Sequence, residues 1–422
     1  MEINQQLLQE KWAPVLDSED ANKIQDRHRR YVTAVVLENQ EKAFLEEREA
    51  ITETAANKTG SGVDNWDPVL ISLVRRATPN LLAFDLVGVQ PMTGPTGLIF
   101  ALKSHYSTQG GTEALFDEAD TSFSSGTGSS PSATVSADMF AGDSGDADSV
   151  DDYTPGSGLA TASGEAMGNT GVAIPQMAFS IDKTTVTAKS RALKAEYTVE
   201  LAQDLKAVHG LSAETELANI LSTEILAEMN REIIRLINLN SVTSTIASGE
   251  YDMTDATDNA GARWLVERVK SMVFAMEKEA NQIAVSTRRG KGNFAIVSHG
   301  VAAALNSAGV MDTGLGLSGP QGFDSDVAGS LFAGTLNGRM KIYIDPYAGV
   351  DYYTVGYKGT NPYDAGMFYC PYVPLSMMKT IGENDFQPRI GFKTRYGIAD
   401  NPFVTAGKGN NVYYRKRKVV NL

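Results

Sequence analysis

Four groups of residues in this 422-residue chain have types and spacings that could support chemistry. The first, Gly314-Leu-Gly316-Leu-Ser-Gly319, matches the letters of a dinucleotide-binding loop. Such a loop follows a strand and opens a helix whose N-terminus receives the pyrophosphate. Here Asp312 and Thr313 precede the glycines and Pro320-Gln-Gly322 follows them, so neither context is present. A flexible loop is the favoured interpretation.

A second glycine-rich stretch and an acidic cluster are also weak as binding motifs. Arg289-Gly-Lys-Gly292 lacks the spacing with which a nucleotide loop wraps phosphate in backbone amides, and it is more typical of a helix end. The acidic cluster has neither the glycine turn nor the late glutamate of a calcium loop, which favours a solvated loop and leaves nonspecific divalent binding open. Its members are Asp143, Asp146, Asp148, Asp151 and Asp152.

Cys370 is the only cysteine, and it could act as a nucleophile only beside a general base. No spacing relates the four histidines to it or to a metal site, and no HExxH motif occurs. They are His28, His105, His209 and His299. A single cysteine also excludes an internal disulfide and a thiolate metal cluster. We therefore predict no catalytic residue, no cofactor and no metal site, with Cys370 half-buried in a strand.

Charge is distributed unevenly along the chain. The net charge is −14, of which residues 1–53 hold 12 acidic and 7 basic groups and residues 104–176 hold 11 acidic and no basic groups. The remainder is nearly neutral, which argues against nucleic-acid binding through clustered Lys and Arg. The 42% hydrophobic and 21% charged content is typical of a globular protein. No apolar run predicts a membrane helix, and no secretory signal is recognisable, so synthesis in the cytosol is expected.

The elements that would position these groups are helices and strands without regular alternation, which predicts an α+β fold. Residues 1–53 predict a helical segment that is either a solvent-exposed hairpin or a removable or scaffold-contacting arm, followed by an extended connector. Apolar residues at four-residue spacing predict an amphipathic helix over 212–238, with Ser212 at its N-cap, and a second helix over 263–286. Residues 107–176 are rich in Ser, Gly and Asp and predict a long flap.

Short apolar segments predict strands at 81–89, at 293–298 and throughout the region that begins at Arg339. The segments of that last region are MKIYIDPYA, YYTVGYKG, AGMFYCPYVPL and IGFKTRYGI. Extended elements and a long flap cannot bury themselves within one compact domain. Their apolar faces need partners, which predicts self-assembly.

Several long segments resemble one protein family, in the same order along the chain. They are Val74–Tyr106, Ala188–Ile234, GARW (Gly261–Trp264), DYYTVGYKG (Asp351–Gly359) and FQPRIGFKTRYGI (Phe386–Ile398). In these segments the chain strongly resembles the major capsid proteins of T-even-type tailed bacteriophages. The similarity covers most of the chain apart from about residues 107–176.

The resemblance implies the tailed-phage major capsid fold of the Hong Kong 97 type. It also implies a virion protein that is made in the host cytoplasm and forms hexameric capsomers around double-stranded DNA, without sequence-specific binding, catalysis or contact with a membrane. The implied partners are a vertex protein, a scaffold, a prohead protease and a decoration protein. The alternatives are the pentameric vertex protein of the same fold and a cytosolic enzyme that uses the 314–322 loop or Cys370.

The anatomy of that family assigns a role to each region of the chain. In order, the regions are a propeptide at 1–53, an N-arm at 54–80, an E-loop region at 88–178, a peripheral domain at 179–259 with a spine helix at 212–238, an axial domain at 260–375, and a C-terminal return to the peripheral domain at 376–422. Residues 107–176 hold few large apolar side chains. A reduced or absent insertion domain is therefore expected there.

The resemblance also implies processing by a prohead protease, which cuts after Glu in a Leu/Ile-x-Glu pattern. Ile51-Thr52-Glu53 fits this pattern, although Thr54 follows where the family usually has Ala or Gly; Leu45-Glu46-Glu47 is a competing site. A cut after Glu53 would change the net charge from −14 to −9. The candidate inter-subunit contacts, as partners for the carboxylates of the flap, are Arg75, Arg76, Arg389, Lys393 and Arg395.

Overall fold

The chain falls into two compact units, one made of residues 1–99 and 184–422 and the other of residues 100–183. The computed structural model describes residues 2–17, 24, 26–52, 81–115, 119, 123–125, 159–165, 168, 174–244, 249–254, 264–312, 331–361, 363–382, 387–402 and 408–422. The predicted N-arm at 54–80, the acidic cluster at 143–152 and the glycine-rich loop at 314–319 lie outside these residues.

Helices and strands are mixed along the chain, as predicted. The helices are α1 (Glu2–Leu16), α2 (Arg27–Thr52), α3 (Ala83–Leu86), α4 (Thr161–Glu165), α5 (Val199–His209), α6 (Ala213–Asn240), α7 (Leu265–Thr287) and α8 (His299–Ser307). The strands are β1 (Gly88–Val89), β2 (Thr96–Tyr106), β3 (Glu113–Ala114), β4 (Met177–Thr187), β5 (Lys189–Glu196), β6 (Ser241–Thr243), β7 (Glu250–Asp252), β8 (Phe294–Ser298), β9 (Met311–Asp312), β10 (Leu331–Leu336), β11 (Met340–Asp345), β12 (Tyr352–Gly356), β13 (Met367–Ile381), β14 (Pro388–Asp400) and β15 (Asn411–Val420).

Three sheets are formed by these strands. One has the order β1-β13-β14-β5, and its long β13–β14 pair is antiparallel with irregular register around Pro371 to Ser376. A larger sheet has the order β6-β15-β12-β8-β11-β10-β9, with β7 also paired to β15. The third has the order β3-β2-β4. Parallel and antiparallel pairs occur together in the large sheet, since β8 runs parallel to β11 and antiparallel to β12.

The two long amphipathic helices predicted from periodicity are confirmed. On α6, Leu221, Ile225, Met229, Ile233 and Ile237 are all buried, and they form the stripe that the four-residue spacing indicates. Helix α7 starts two residues later than predicted and buries its own apolar stripe in a second core beside the large sheet. Ser212 occupies the N-cap of α6, but its side chain makes no capping hydrogen bond.

The strand predicted at 81–89 is wrong over most of its length. Ala83–Leu86 is one turn of helix, and only Gly88–Val89 is extended. Nearly every side chain of this run is buried, so the pattern has no period that separates a strand from a helix. The backbone amide of Leu82 donates to Asn230 Oδ1 on α6, a contact from a distant part of the chain. The buried strand predicted at 293–298 is confirmed, since all of β8 is buried.

The N-terminal helices pack on each other and on the first sheet. Trp12 and Leu16 of α1 are buried, as is the run Val32–Leu37 of α2. These side chains belong to the same apolar core as α6 and β13. Of the two interpretations of residues 1–53, the solvent-exposed hairpin does not describe the structure, because α2 is buried against the body.

Candidate functional site

Cys370 and the Arg289–Gly292 stretch, two of the features considered for chemistry, lie within the described residues. Cys370 lies on β13 and is buried rather than half-buried, with 2% of its surface exposed, and burial raises the pKa of its thiol to about 12. A thiol in this state is protonated at neutral pH and is a poor nucleophile. The Arg289–Gly292 stretch follows the end of α7 at Thr287, as its interpretation as a helix end predicts.

Each of the four histidines has its own local contacts or its own position in a helix. His28 Nε2 donates to the carbonyl oxygen of Val89, whereas His105 hydrogen-bonds Gly111 and Ser180. His209 ends α5 and His299 begins α8. Within the part of the chain that the structure describes, no group of three His, Cys, Asp or Glu side chains could hold a metal ion. Likewise, no described helix is long and apolar enough to cross a membrane.

The most unusual surface belongs to strands β2 and β4. Phe100 and Leu102 on β2 are 72% and 59% exposed, and Phe179 and Ile181 on β4 are each 60% exposed. The Ser107 amide donates to Gln176 O and the Ala188 amide donates to Pro95 O, so the two strands run antiparallel. Residues two apart share a face of a strand. In this register the four side chains lie on one face, called here the apolar face.

On the opposite side of the same strands, polar side chains are paired with one another. Lys103 pairs with Asp182 at 2.7 Å, and His105 Nε2 lies 2.8 Å from Ser180 Oγ. An isolated strand pair in water would bury its large side chains and expose its charged ones. Here the large side chains are left exposed, which is typical of a surface that is covered by another molecule.

Of the five predicted contact residues, three lie within the described residues. Arg75 and Arg76 lie outside the described residues. Arg389 Nε lies 3.2 Å from Glu196 Oε1 of the same chain, and the guanidinium of Arg395 lies 5.2 Å from the ring centre of Tyr372. Lys393, also on β14, is exposed. Of the three predicted contact residues that the structure describes, Lys393 is therefore the exposed one.

The predicted processing site lies at the end of α2. Ile51 and Thr52 are its last two helical residues, while Glu53 and Thr54 lie outside the described residues. The competing site, Leu45-Glu46-Glu47, is within the helix. A protease binds its substrate as an extended strand, so a site at a helix end needs less unwinding than one inside a helix.

A polar network holds α6 against the first sheet. Arg191 on β5 reaches Glu228 at 2.9 Å and Glu232 at 2.7 Å on α6, and its Nε donates to Tyr396 Oη on β14 at 2.6 Å. The Tyr396 hydroxyl donates in turn to Glu232. Burial, together with this bond to a carboxylate, raises the pKa of Tyr396 above its ordinary value. The network positions α6 against the sheet.

Comparison with known proteins identifies the family to which the chain belongs. A family model described as "Major capsid protein Gp23" matches residues 63–419. The chain belongs to the Gp23 major capsid protein family. The major capsid protein of Serratia phage KSP90 is 39% identical over 97% of this chain and 97% of its own length. That of Enterobacteria phage T4 is 38% identical over 93% of this chain and 91% of its own length.

The chain also has more distant similarities. The capsid vertex protein of Enterobacteria phage T4 is 30% identical over 54% of each chain. A solved capsid of a native GTA particle is 12% identical, with a TM-score of 0.41 over 87% of this chain and 95% of that chain. Membership of the Gp23 family confirms the predicted family, the α+β capsid fold and the structural role as a phage major capsid protein.

Sequence reasoning missed the apolar face, although its signal is visible. Phe100 and Leu102 alternate with Ala101 and Lys103, and Phe179 and Ile181 alternate with smaller or polar neighbours. Alternation predicts a strand with two different faces. It does not say which face is turned to the body of its own chain, so the exposure of the larger side chains was not foreseen.

Proposed function

We propose that this major capsid protein forms hexameric capsomers that tile a phage head around double-stranded DNA, and that its N-terminal segment is removed by cleavage after Glu53. The chain itself performs no catalysis. The vertex protein, scaffold, prohead protease and a decoration protein are its partners, and assembly takes place in the host cytoplasm. The DNA lies inside the shell without sequence-specific contacts.

The apolar face is the observation that supports this proposal most directly. Four large apolar side chains on one side of β2 and β4 are between 59% and 72% exposed in a single copy. Burial of one such side chain contributes roughly 1.5–3 kcal/mol. A contact in which a neighbouring copy covers this face would therefore stabilise the assembly substantially. Repetition of the same contact around a ring gives a closed oligomer.

Double replacement of Phe100 and Phe179 by Ser in the full chain tests the proposal. We expect sedimentation velocity to show species near six times the subunit mass, or larger shells, for the natural chain, and smaller species for the variant. Lys189→Ser, an exposed polar position on β5, is the matched control and should assemble normally. Circular dichroism confirms that both variants remain folded.

Each outcome of that experiment is informative. A species of five times the subunit mass would favour the vertex-type assembly instead of the hexamer. A monomeric natural chain, supplied with its scaffold, would contradict self-assembly. Equal assembly of the double variant and the natural chain would show that the apolar face is not the contact.

The cleavage has its own test in Glu53→Ala. We expect particles of this variant to retain the N-terminal segment by mass spectrometry, because the protease pattern requires Glu at that position. Glu49→Ala, which changes the same charge four residues earlier, should be cleaved normally. The cut would lower the acidity of each subunit, and normal DNA packaging by uncut particles would contradict a role for that charge change.

A further inference from the structure

Helix α2 occupies a groove of the body. Val32 and Val36 of α2 line, together with body residues, a cavity of about 30 Å³ that is too small for more than a single water molecule. The body residues of this lining that belong to the same apolar core as α2 are Leu81, Phe84, Ile225, Met229, Tyr369 and Leu375. We call these six side chains the α2 groove. They come from the α3 segment, α6 and β13, so the groove is assembled by the fold.

One buried side chain fixes α2 in this position. Asn39 is 5% exposed, and its Nδ2 donates to Met92 O at 2.7 Å and to Tyr372 O at 3.0 Å. Both acceptors are backbone carbonyls of the body. A buried amide that bridges two separate backbone segments specifies the register of the helix, because a shift by one residue would leave the carbonyls unpaired.

The N-terminal end of α2 is held by polar contacts. Arg29 pairs with Asp85 at 2.8 Å, and its guanidinium lies 5.3 Å from the ring centre of Phe84. His28 Nε2 donates to Val89 O at 3.0 Å. Helix α1 strengthens the arrangement from the other side, since Lys11 reaches Glu38 and Glu41 on α2. Helices α1 and α2 are therefore held together and contact the body as one unit.

One residue of the interface is poorly accommodated. Gln40 is 8% exposed, and neither polar atom of its side chain has a hydrogen-bond partner among the described residues. A buried amide without partners destabilises the bound state of α2. The groove therefore holds α2 specifically but less tightly than an optimised core would.

We propose that the α2 groove is a receptor for residues 1–53 of the chain and retains them after the covalent link is cut, so that cleavage after Glu53 and exposure of the groove are two separate events. In every contact described above, the partner on α1 or α2 is a residue that precedes Glu53. Breaking the chain at Glu53 leaves all of them intact. The inference rests on the proposed cleavage only for the position at which the peptide ends.

A recognition sequence for a specific laboratory protease, inserted after Glu53 in the full chain, tests the proposal. After complete cutting, gel filtration separates free peptide from body, and mass spectrometry measures how much peptide elutes with the body. We expect the natural peptide to co-elute. Asn39→Ala should dissociate at least tenfold faster, and Gln40→Leu several-fold more slowly, because the first loses two buried hydrogen bonds and the second removes an unpartnered amide.

Lys42→Ala is the matched control on the same helix, because the side chain of Lys42 is 63% exposed. Its peptide should dissociate within about twofold of the natural rate. Complete separation of the natural peptide immediately after cutting would overturn the proposal, as would equal dissociation rates for Asn39→Ala and Lys42→Ala. Because the laboratory protease makes the cut, these results do not depend on whether a prohead protease acts at Glu53.

A second measurement uses the uncut chain, in which every variant keeps its covalent link. The Gln90 amide donates to Tyr369 O and the Met92 amide donates to Pro371 O. We expect hydrogen exchange at these two amides to be faster in Asn39→Ala than in the natural chain and unchanged in Lys42→Ala. Equal exchange in all three proteins would contradict the bridging role of Asn39.

Discussion

Lys358 carries an ammonium group in a largely enclosed site. Its Nζ donates to the carbonyl oxygen of Phe84, and burial lowers its pKa to about 8 from the ordinary 10.5, with Asp85 opposing the shift. Lys358 therefore binds its proton below about pH 10.5 in the unfolded chain, but only below about pH 8 in the folded chain. Between these values protonation favours unfolding, so this group makes the free energy of unfolding rise as the pH is raised from about 8 to 10.5.

Lys358→Met removes this pH dependence. The free energy of unfolding of the variant minus that of the natural chain should fall by roughly 2–3 kcal/mol between pH 7.5 and pH 10. Urea denaturation at several pH values measures it. Ionisation of tyrosines near pH 10 affects both proteins alike and cancels in the difference. Parallel stability curves for the two proteins would show that Lys358 is not desolvated.

Glu279 and Arg415 form a buried ion pair between α7 and β15. Their side chains are 1% and 9% exposed, Arg415 Nε lies 2.6 Å from Glu279 Oε2, and Ser244 Oγ donates to the other carboxylate oxygen. Glu279→Gln leaves the guanidinium buried without its countercharge. We expect a loss of about 3–5 kcal/mol in the free energy of unfolding by chemical denaturation.

The matched control for that pair is on the same strand. Lys418 pairs with Glu250 at 3.0 Å, but both side chains are about half exposed. Glu250→Gln should cost less than about 1 kcal/mol, because solvent screens exposed ion pairs. Similar losses in the two variants would mean that burial does not decide the strength of these pairs.

At the scale of elements, α6 offers two isoleucines in opposite environments. Ile233 is 2% exposed and packs in the core, whereas Ile220 is 62% exposed. Ile233→Ala should reduce the free energy of unfolding by about 2–5 kcal/mol because it leaves a cavity. Ile220→Ala should change it by no more than about 0.5 kcal/mol. Thermal or urea denaturation of the unassembled chains measures both, and equal losses would contradict the orientation of the helix.

At the scale of the whole molecule, the acidic charge is concentrated in residues 104–176, with 11 acidic and no basic groups. We proposed that basic residues of a neighbouring copy pair with these carboxylates, and Lys393 is the exposed candidate among the described residues. Lys393→Glu should weaken assembly at low salt, as measured by light scattering. The difference from the natural chain should shrink at 0.5 M NaCl, because salt screens exposed charges.

Lys278→Glu makes the same change in net charge at an exposed position on α7 and serves as the control. It should leave the low-salt association within about twofold of the natural chain. An equal effect of the two substitutions would mean that net charge alone, rather than a local pair at Lys393, governs the salt dependence.

Part of this protein is determined by the sequence alone. Helices α6 and α7 follow from local patterns, because their buried positions recur at the helical period. Strand β8 follows from a short, continuous run of mostly apolar residues. The family follows from long segments that match in order.

Other features depend on contacts between residues far apart in sequence, which local patterns do not encode. The turn α3 replaces a predicted strand because residues 81–86 pack against α6 and Leu82 bonds to Asn230. Helix α2 has charges on most faces, yet the tertiary structure buries Val32–Leu37 and gives Asn39 two distant backbone acceptors. Strand β15 carries four consecutive basic residues, Arg415 to Lys418, and only the packing of α7 against it buries Arg415 beside Glu279. In each case the stabilising contact is made by a residue that is distant in sequence and comes close only when the chain folds.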